Sequence, residues 1–257
     1  MQYGNRIFFQ FLEFESRKEF RTERRYEMNI FYEDNEIIVV EKPVGIESQT
    51  ARGFEPDMVS EIKKHINKLS TVKTEPYVGV IHRLDKPVGG IMVYAKTQKA
   101  AAALSAQAAN GKMSKKYCAV VCGKLVDNVG NYVDYLLKDG KTNTSKIVDK
   151  GIKGAKQAKL NYRVLKTIEE DGKILSFVEI ELLTGRHHQI RVQMAGHDTP
   201  LWGDNKYNPE FNPSLNRGAK RGSVALCSCY LAFTHPGNGR RMEFRMEPQT
   251  AIFAKFQ

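Results

Sequence analysis

This chain predicts an α+β fold: one large mixed, mostly antiparallel sheet with flanking helices. Three observations carry the prediction. The segments run strands, helix, strand, helix and then many strands, which is not the repeating βαβ order of a doubly wound parallel sheet. The strand-like runs are short, and several alternate apolar and polar side chains, as half-buried strands do. No composition break and no internal repeat divides residues 28–257, so those residues are expected to form one domain. A chain of 257 residues with 41% apolar side chains has enough material for a substantial core.

Residues 1–27 stand apart as an N-terminal extension. Phe8, Phe9, Phe11, Leu12 and Phe14 precede the charge-mixed run RKEFRTERR, and no element is assigned there. Ile30-Phe31-Tyr32 and Ile37–Val40, separated by the polar turn Asp34-Asn35, predict a hairpin. Lys42-Pro43 ends it and Gly45 bends the chain. Lys42 reads equally as a solvated strand-end charge or a phosphate contact. Asp57–Leu69 predicts an amphipathic helix, with Val59, Ile62, Ile66 and Leu69 on one face and Asp57 as N-cap.

The central stretch is Val80–Thr97, VIHRLDKPVGGIMVYAKT. Ile91–Ala95 reads as a buried strand, and Pro87 with Gly89-Gly90 marks a loop of unusual backbone angles before it. His82, Arg83 and Asp85 lie in that loop. A carboxylate beside an imidazole and a guanidinium on a tight turn is a candidate reactive site. An ordinary surface ion pair is the plainer reading of the same residues. Thr97–Asn110, rich in alanine, predicts a second helix stopped by Gly111.

A strand starting near Tyr117 follows three lysines. Residues 138–159 hold seven Lys and two Asp, a net +5 over a turn-rich segment, read as a solvated β-ribbon or an arm tracking phosphates. Leu160–Leu165 and Ile174–Leu183 read as paired strands, with Val178, Ile180 and Leu182 toward the core. Gln189–Ala195 predicts a short helix ended by Gly196, with Ile190 and Met194 on one face. Trp202-Gly203-Asp204 reads as a packed turn. Arg217, Lys220 and Arg221 form a basic loop before strands at Ser223–Thr234 and Arg241–Met246.

Three segments together resemble the RluA-type pseudouridine synthases. HRLDKPVGGIMVYAK is similar to that family's signature loop and strand. KPVGIES at 42–48 is similar to its first motif, and TGRHHQIRVQMAGHDTPLWGDNKY at 184–207 to its third. The similarity spans about residues 30–250. One departure is visible: Val88-Gly89 stands where the family has Thr-Ser, which would trim the active-site loop and leaves room for a catalytically impaired RNA-binding protein of the same fold.

The resemblance implies the pseudouridine synthase fold over residues 28–257, with a cleft across the middle of the sheet. It implies that the chain isomerises uridines of rRNA or tRNA. It assigns catalysis to Asp85, kept ionised by Arg191. It places Tyr117 against the uracil, Val192 at the base, and Arg83 toward the backbone or the gap left by a flipped nucleotide. His82 is expected to be structural.

The reaction gains no atoms, so no cofactor is expected, and no nucleotide- or metal-binding motif occurs. Cys118, Cys122, Cys227 and Cys229 lack the usual zinc spacing and read as buried thiols. Net charge of +11 suits a polyanionic partner without choosing among RNA, DNA and an anionic membrane; the resemblance implies RNA, with no DNA or membrane partner. No run approaches the ~20 apolar residues of a membrane span. Neither a signal peptide nor a transit peptide is recognisable, which favours the cytoplasm. A monomer is expected.

Overall fold

The computed structural model describes residues 28–49, 56–69, 74–213 and 223–257. The extension at 1–27 and the basic loop with Arg217, Lys220 and Arg221 lie outside the described residues. β1 (Ile30–Glu33) and β2 (Ile37–Lys42) form the predicted hairpin. α1 (Met58–Leu69), β3 (Gly79–Val80), β4 (Gly89–Ala95) and α2 (Gln98–Ala109) follow. β5 (Ser114–Cys122), β6 (Val129–Asp139), β7 (Thr144–Val148), β8 (Lys156–Glu170) and β9 (Lys173–Leu182) come next. α3 (Gln189–Gly196), β10 (Leu226–Thr234) and β11 (Arg241–Arg245) complete the regular elements, before a 3₁₀ turn at Ala251–Phe256.

All eleven strands join one sheet, in the order β1-β2-β4-β10-β5-β9-β8-β6-β7, with β3 beside β4 and β11 beside β10. Every ladder among the described residues is antiparallel except β4–β10, so the sheet is mixed and mostly antiparallel. The parallel contact explains a glycine. Gly90 lies at φ +130, and a Cβ there would come within 2.5 Å of the Ser228 backbone. Only glycine lets β4 and β10 approach so closely.

β4 is buried on both faces. Met92 and Tyr94 face one core with Ile38, Val40, Val178, Ile180 and the α1 residues Met58 and Ile62. Ile91 and Val93 face another, covered by Ala100 and Leu104 of α2. Leu182 packs against the first core beside Val178 and Ile180, as their alternation predicts. On the other side of β9, Phe177 packs against Phe253 and Phe256 of the 3₁₀ turn, an element that the sequence pattern does not predict.

The N-termini of α1 and α2 follow their capping chemistry. Asp57 Oδ1 accepts from Ser60 N at 2.7 Å, and Ser60 Oγ accepts from Asp57 N at 3.0 Å. Thr97 Oγ1 accepts from Ala100 N at 3.1 Å. Each bond satisfies an otherwise orphaned amide. Among the described residues, no helix is long and apolar enough to cross a membrane.

Candidate active site

The loop between β3 and β4 and the segment around α3 meet across a cleft of about 1230 Å³. This is larger than most small-molecule pockets. Asp85, Arg83, His82 and Val88 line it from the first loop, Tyr117 from β5, His187, His188, Ile190 and Arg191 from the α3 region, and Lys138 and Asn143 from the β6–β7 hairpin.

Asp85 and Arg191, 106 residues apart in sequence, are in contact: Arg191 Nη1 donates to Asp85 Oδ2 at 3.2 Å. The Asp85 side chain is 29% exposed and the Arg191 side chain 3%. Burying a guanidinium so deeply requires compensation. Asp204 supplies it, accepting from Nε and Nη2 at 2.7 Å each in a bidentate pair. Burial opposes the Arg191 charge, but the Asp204 and Asp85 carboxylates outweigh it and hold the guanidinium above its ordinary range. Asp204 in turn accepts from Lys206 N and Tyr207 N, so its loop is folded around the ion pair. The turn before it needs Gly203, at φ +74, where a Cβ would fall 2.2 Å from Ser223 O.

Two further side chains surround Asp85. His188 Nε2 lies 3.6 Å from Asp85 Oδ2, and its Nδ1 is 2.7 Å from the Tyr207 hydroxyl. Burial is the main cause that pushes the His188 imidazole down to about 4, against the pull of Asp85. Tyr117 is buried at the cleft edge. Burial, and then the Asp85 charge, raise its hydroxyl above the usual phenol range, so the hydroxyl stays neutral.

His82 is held by Val93 N, which donates to Nε2 at 3.4 Å; burial, then Lys115, push it down to about 3. Arg83 is exposed on the cleft rim. His187 and His188 stack at 3.7 Å, because His188 leaves the helical path at φ 52. Among the described residues, no group of three or more His, Cys, Asp or Glu side chains is arranged to hold a metal. All four cysteines are free thiols; Cys227 and Cys229 are buried as expected, whereas Cys118 and Cys122 are only half-buried.

Two expectations need correction. Lys42 is neither solvated nor a phosphate contact. It is fully buried, and its ammonium donates to the carbonyls of Pro43, Ile46 and Lys86 at 3.0, 2.6 and 3.3 Å. Burial pushes it down to about 8. It ties the Lys42–Ile46 loop to the Asp85 loop. Val192 does not line the cleft: it is buried against Leu136 and Ala158, while Ile190 lines the cleft. Two residues along a helix turn the side chain about 200°, to the opposite face.

Val88 is buried in the core below the cleft, and a Cβ on Gly89 would meet Lys42 O at 3.3 Å. The trimmed pair therefore packs against the Lys42 loop. Asp204, His188 and Tyr207 went unassigned from sequence. The signal for Asp204 was a carboxylate in the packed turn Trp202-Gly203-Asp204.

Residues 36–196 match the family model described as RNA pseudouridylate synthase. An uncharacterized RNA pseudouridine synthase of Bacillus subtilis is 32% identical over 219 residues, covering 85% of this chain and 68% of that protein. The ribosomal large subunit pseudouridine synthase D of Zymomonas mobilis is 31% identical over 224 residues, covering 86% and 69%. That of Pseudomonas aeruginosa is 32% identical over 231 residues, covering 85% and 67%. In fold, the chain is similar to human RNA pseudouridylate synthase domain containing 4, with TM-score 0.69, 21% identity and 94% and 95% of the two chains covered. The motif order, the sheet and these matches agree, and the chain belongs to the RNA pseudouridine synthase family of isomerases.

Proposed function

We propose that this RNA pseudouridine synthase acts on uridines of large-subunit ribosomal RNA, with Asp85 as its catalytic carboxylate. The observation that carries the assignment is the Asp85–Arg191 contact at 3.2 Å on the wall of an open cleft. The names of several relatives favour ribosomal RNA over tRNA.

The reaction breaks the N1–C1′ bond of uridine, turns the uracil, joins C5 to C1′ and moves the C5 proton. Its atoms balance without a co-reactant. Attack by Asp85 at C6, attack at C1′, and initial loss of a sugar proton all give the same product. Each begins from the carboxylate anion, which the Arg191 charge stabilises. Tyr117 presents a neutral phenol beside Asp85, suited to packing on a flipped uracil. Arg83 stands at the rim, where a displaced strand would pass. Flipping costs a few kcal/mol, offset by stacking and hydrogen bonds in the cleft.

The test is pseudouridine mapping of RNA incubated with wild type and with Asp85→Asn. The substitution is expected to lower turnover by about 10³-fold or more, with the fold and RNA affinity retained. Equal turnover would remove Asp85 from the chemistry, and modification of tRNA alone would overturn the substrate assignment.

A further inference from the structure

We infer that His188 is a positioning residue that clamps one oxygen of Asp85, Oδ2, so that Oδ1 is the oxygen presented to the uridine. The inference rests on Asp85 being the catalytic carboxylate, and it concerns how that group is aimed.

Among the described residues, the two nitrogen contacts of the Asp85 carboxylate fall on the same atom. Arg191 Nη1 donates to Oδ2 at 3.2 Å, and His188 Nε2 stands 3.6 Å from it. Among the described residues, Oδ1 accepts no hydrogen bond. A carboxylate gripped at one oxygen keeps a defined plane and offers the other.

For His188 to contribute, its Nε2 must carry the proton, and the surroundings dictate that tautomer. Ser145 N donates to the Tyr207 hydroxyl oxygen at 2.8 Å. The hydroxyl's other partner among the described residues is His188 Nδ1, at 2.7 Å, so the phenolic proton points there. Burial, foremost, pushes Tyr207 up to about 12, which keeps that proton in place. With Nδ1 accepting, the neutral ring carries its hydrogen on Nε2, toward Asp85. Burial foremost, with Arg191, His187 and Lys206, opposes protonation of His188, whereas Asp85 favours it. Contacts of this kind are often long outside the complex with substrate.

The backbone is arranged for this role. His188 sits at φ 52, a left-handed conformation uncommon for a residue with a side chain. Gln189 pins the loop that holds it there: its Oε1 accepts from Thr184 Oγ1 at 2.7 Å and Arg186 N at 3.0 Å, and its Nε2 donates to Lys159 O at 3.0 Å. His187 stacks on the His188 ring, and its Nδ1 is 2.9 Å from Ser145 Oγ. Ser145 thus braces His187 directly and His188 through Tyr207. An imidazole that only filled space would need neither the fixed tautomer nor the strained backbone.

The experiment pairs histidine ¹⁵N NMR on the full chain with kinetics on a uridine-containing RNA substrate. At pH 7, His188 is expected to show the Nε2–H tautomer, and Tyr207→Phe to mix the two tautomers. His188→Ala is expected to lower kcat about 10- to 100-fold, the scale of one hydrogen bond to a charged group, with KM little changed. His188→Gln, whose amide can place an N–H where Nε2 stood, should recover most of the loss, and His188→Asn should not. An Nδ1–H tautomer in the wild type, an alanine variant with wild-type kcat, or a folded Gln variant no better than Ala would each overturn the inference. If the wild type forms no pseudouridine, the functional reading fails, while the tautomer measurement, which needs no turnover, still decides the clamp.

Discussion

At the centre of the cleft, Arg191 spreads its N–H groups over two carboxylates and is almost wholly buried; on the adjoining β6–β7 hairpin, Lys138, Lys141 and Lys146 stand in water. The two regions use charge differently. Buried charges are costly unless paired with good geometry, so those that persist are fixed in place. Exposed charges cost little, move freely and are screened by salt. Fixed charge suits a bond-making centre, and mobile charge suits contact with a phosphate backbone of variable path. The lysine-rich hairpin is a solvated ribbon, and Lys138 and Asn143 near its tip line the cleft.

Arg191→Ala should break the paired side most severely. It strands the Asp204 carboxylate, wholly buried, and a loss of about 3–5 kcal/mol is expected from the denaturant midpoint. Turnover should fall steeply in the fraction that folds. Wild-type turnover in the folded fraction would separate the pair.

Lys42→Met is a milder break on the same side. It leaves three carbonyls without their shared donor, and about 1–3 kcal/mol should be lost. The Asp85 loop should loosen, visible as faster amide exchange at Val88, whose N–H bonds to Asp85 O. Unchanged exchange would mean that Lys42 braces only its own loop.

The smallest effect belongs to the wet side. Lys138→Ala with Lys141→Ala should weaken RNA binding across sequences and flatten the log–log salt dependence by about one for each phosphate no longer neutralised. Thermal stability should hardly change. An unchanged salt slope would show that this hairpin does not meet phosphate.

Elements carried by local pattern were legible before the structure. The α1 periodicity, the Asp57 cap and the alternation of β9 depend on neighbours within a few residues. Asp85 with Arg191 was legible only through resemblance, since no local rule joins residues so far apart. Asp204, His188 and Tyr207 were missed for the same reason: their meaning comes from partners on other segments. Lys42 was misread because a strand-end lysine is usually solvated, and only the closing of two loops over it reverses that. Val192 was carried over by motif position, whereas helix geometry gave the cleft to Ile190. The 3₁₀ turn at Ala251–Phe256 is too short to display a period.

The order of the strands also bears on biosynthesis. β10 sits between β4 and β5, and among the described residues it alone links the β1-β2-β4 half of the sheet to the β5-β9-β8-β6-β7 half. A ribosome completes both halves, with Asp85 on one and Arg191 just after the other, before it makes Leu226–Thr234. Until that segment emerges and inserts, the nascent polypeptide carries two unpaired edges prone to sticking. Those edges are expected to be most open to aggregation in the interval just before β10 is translated.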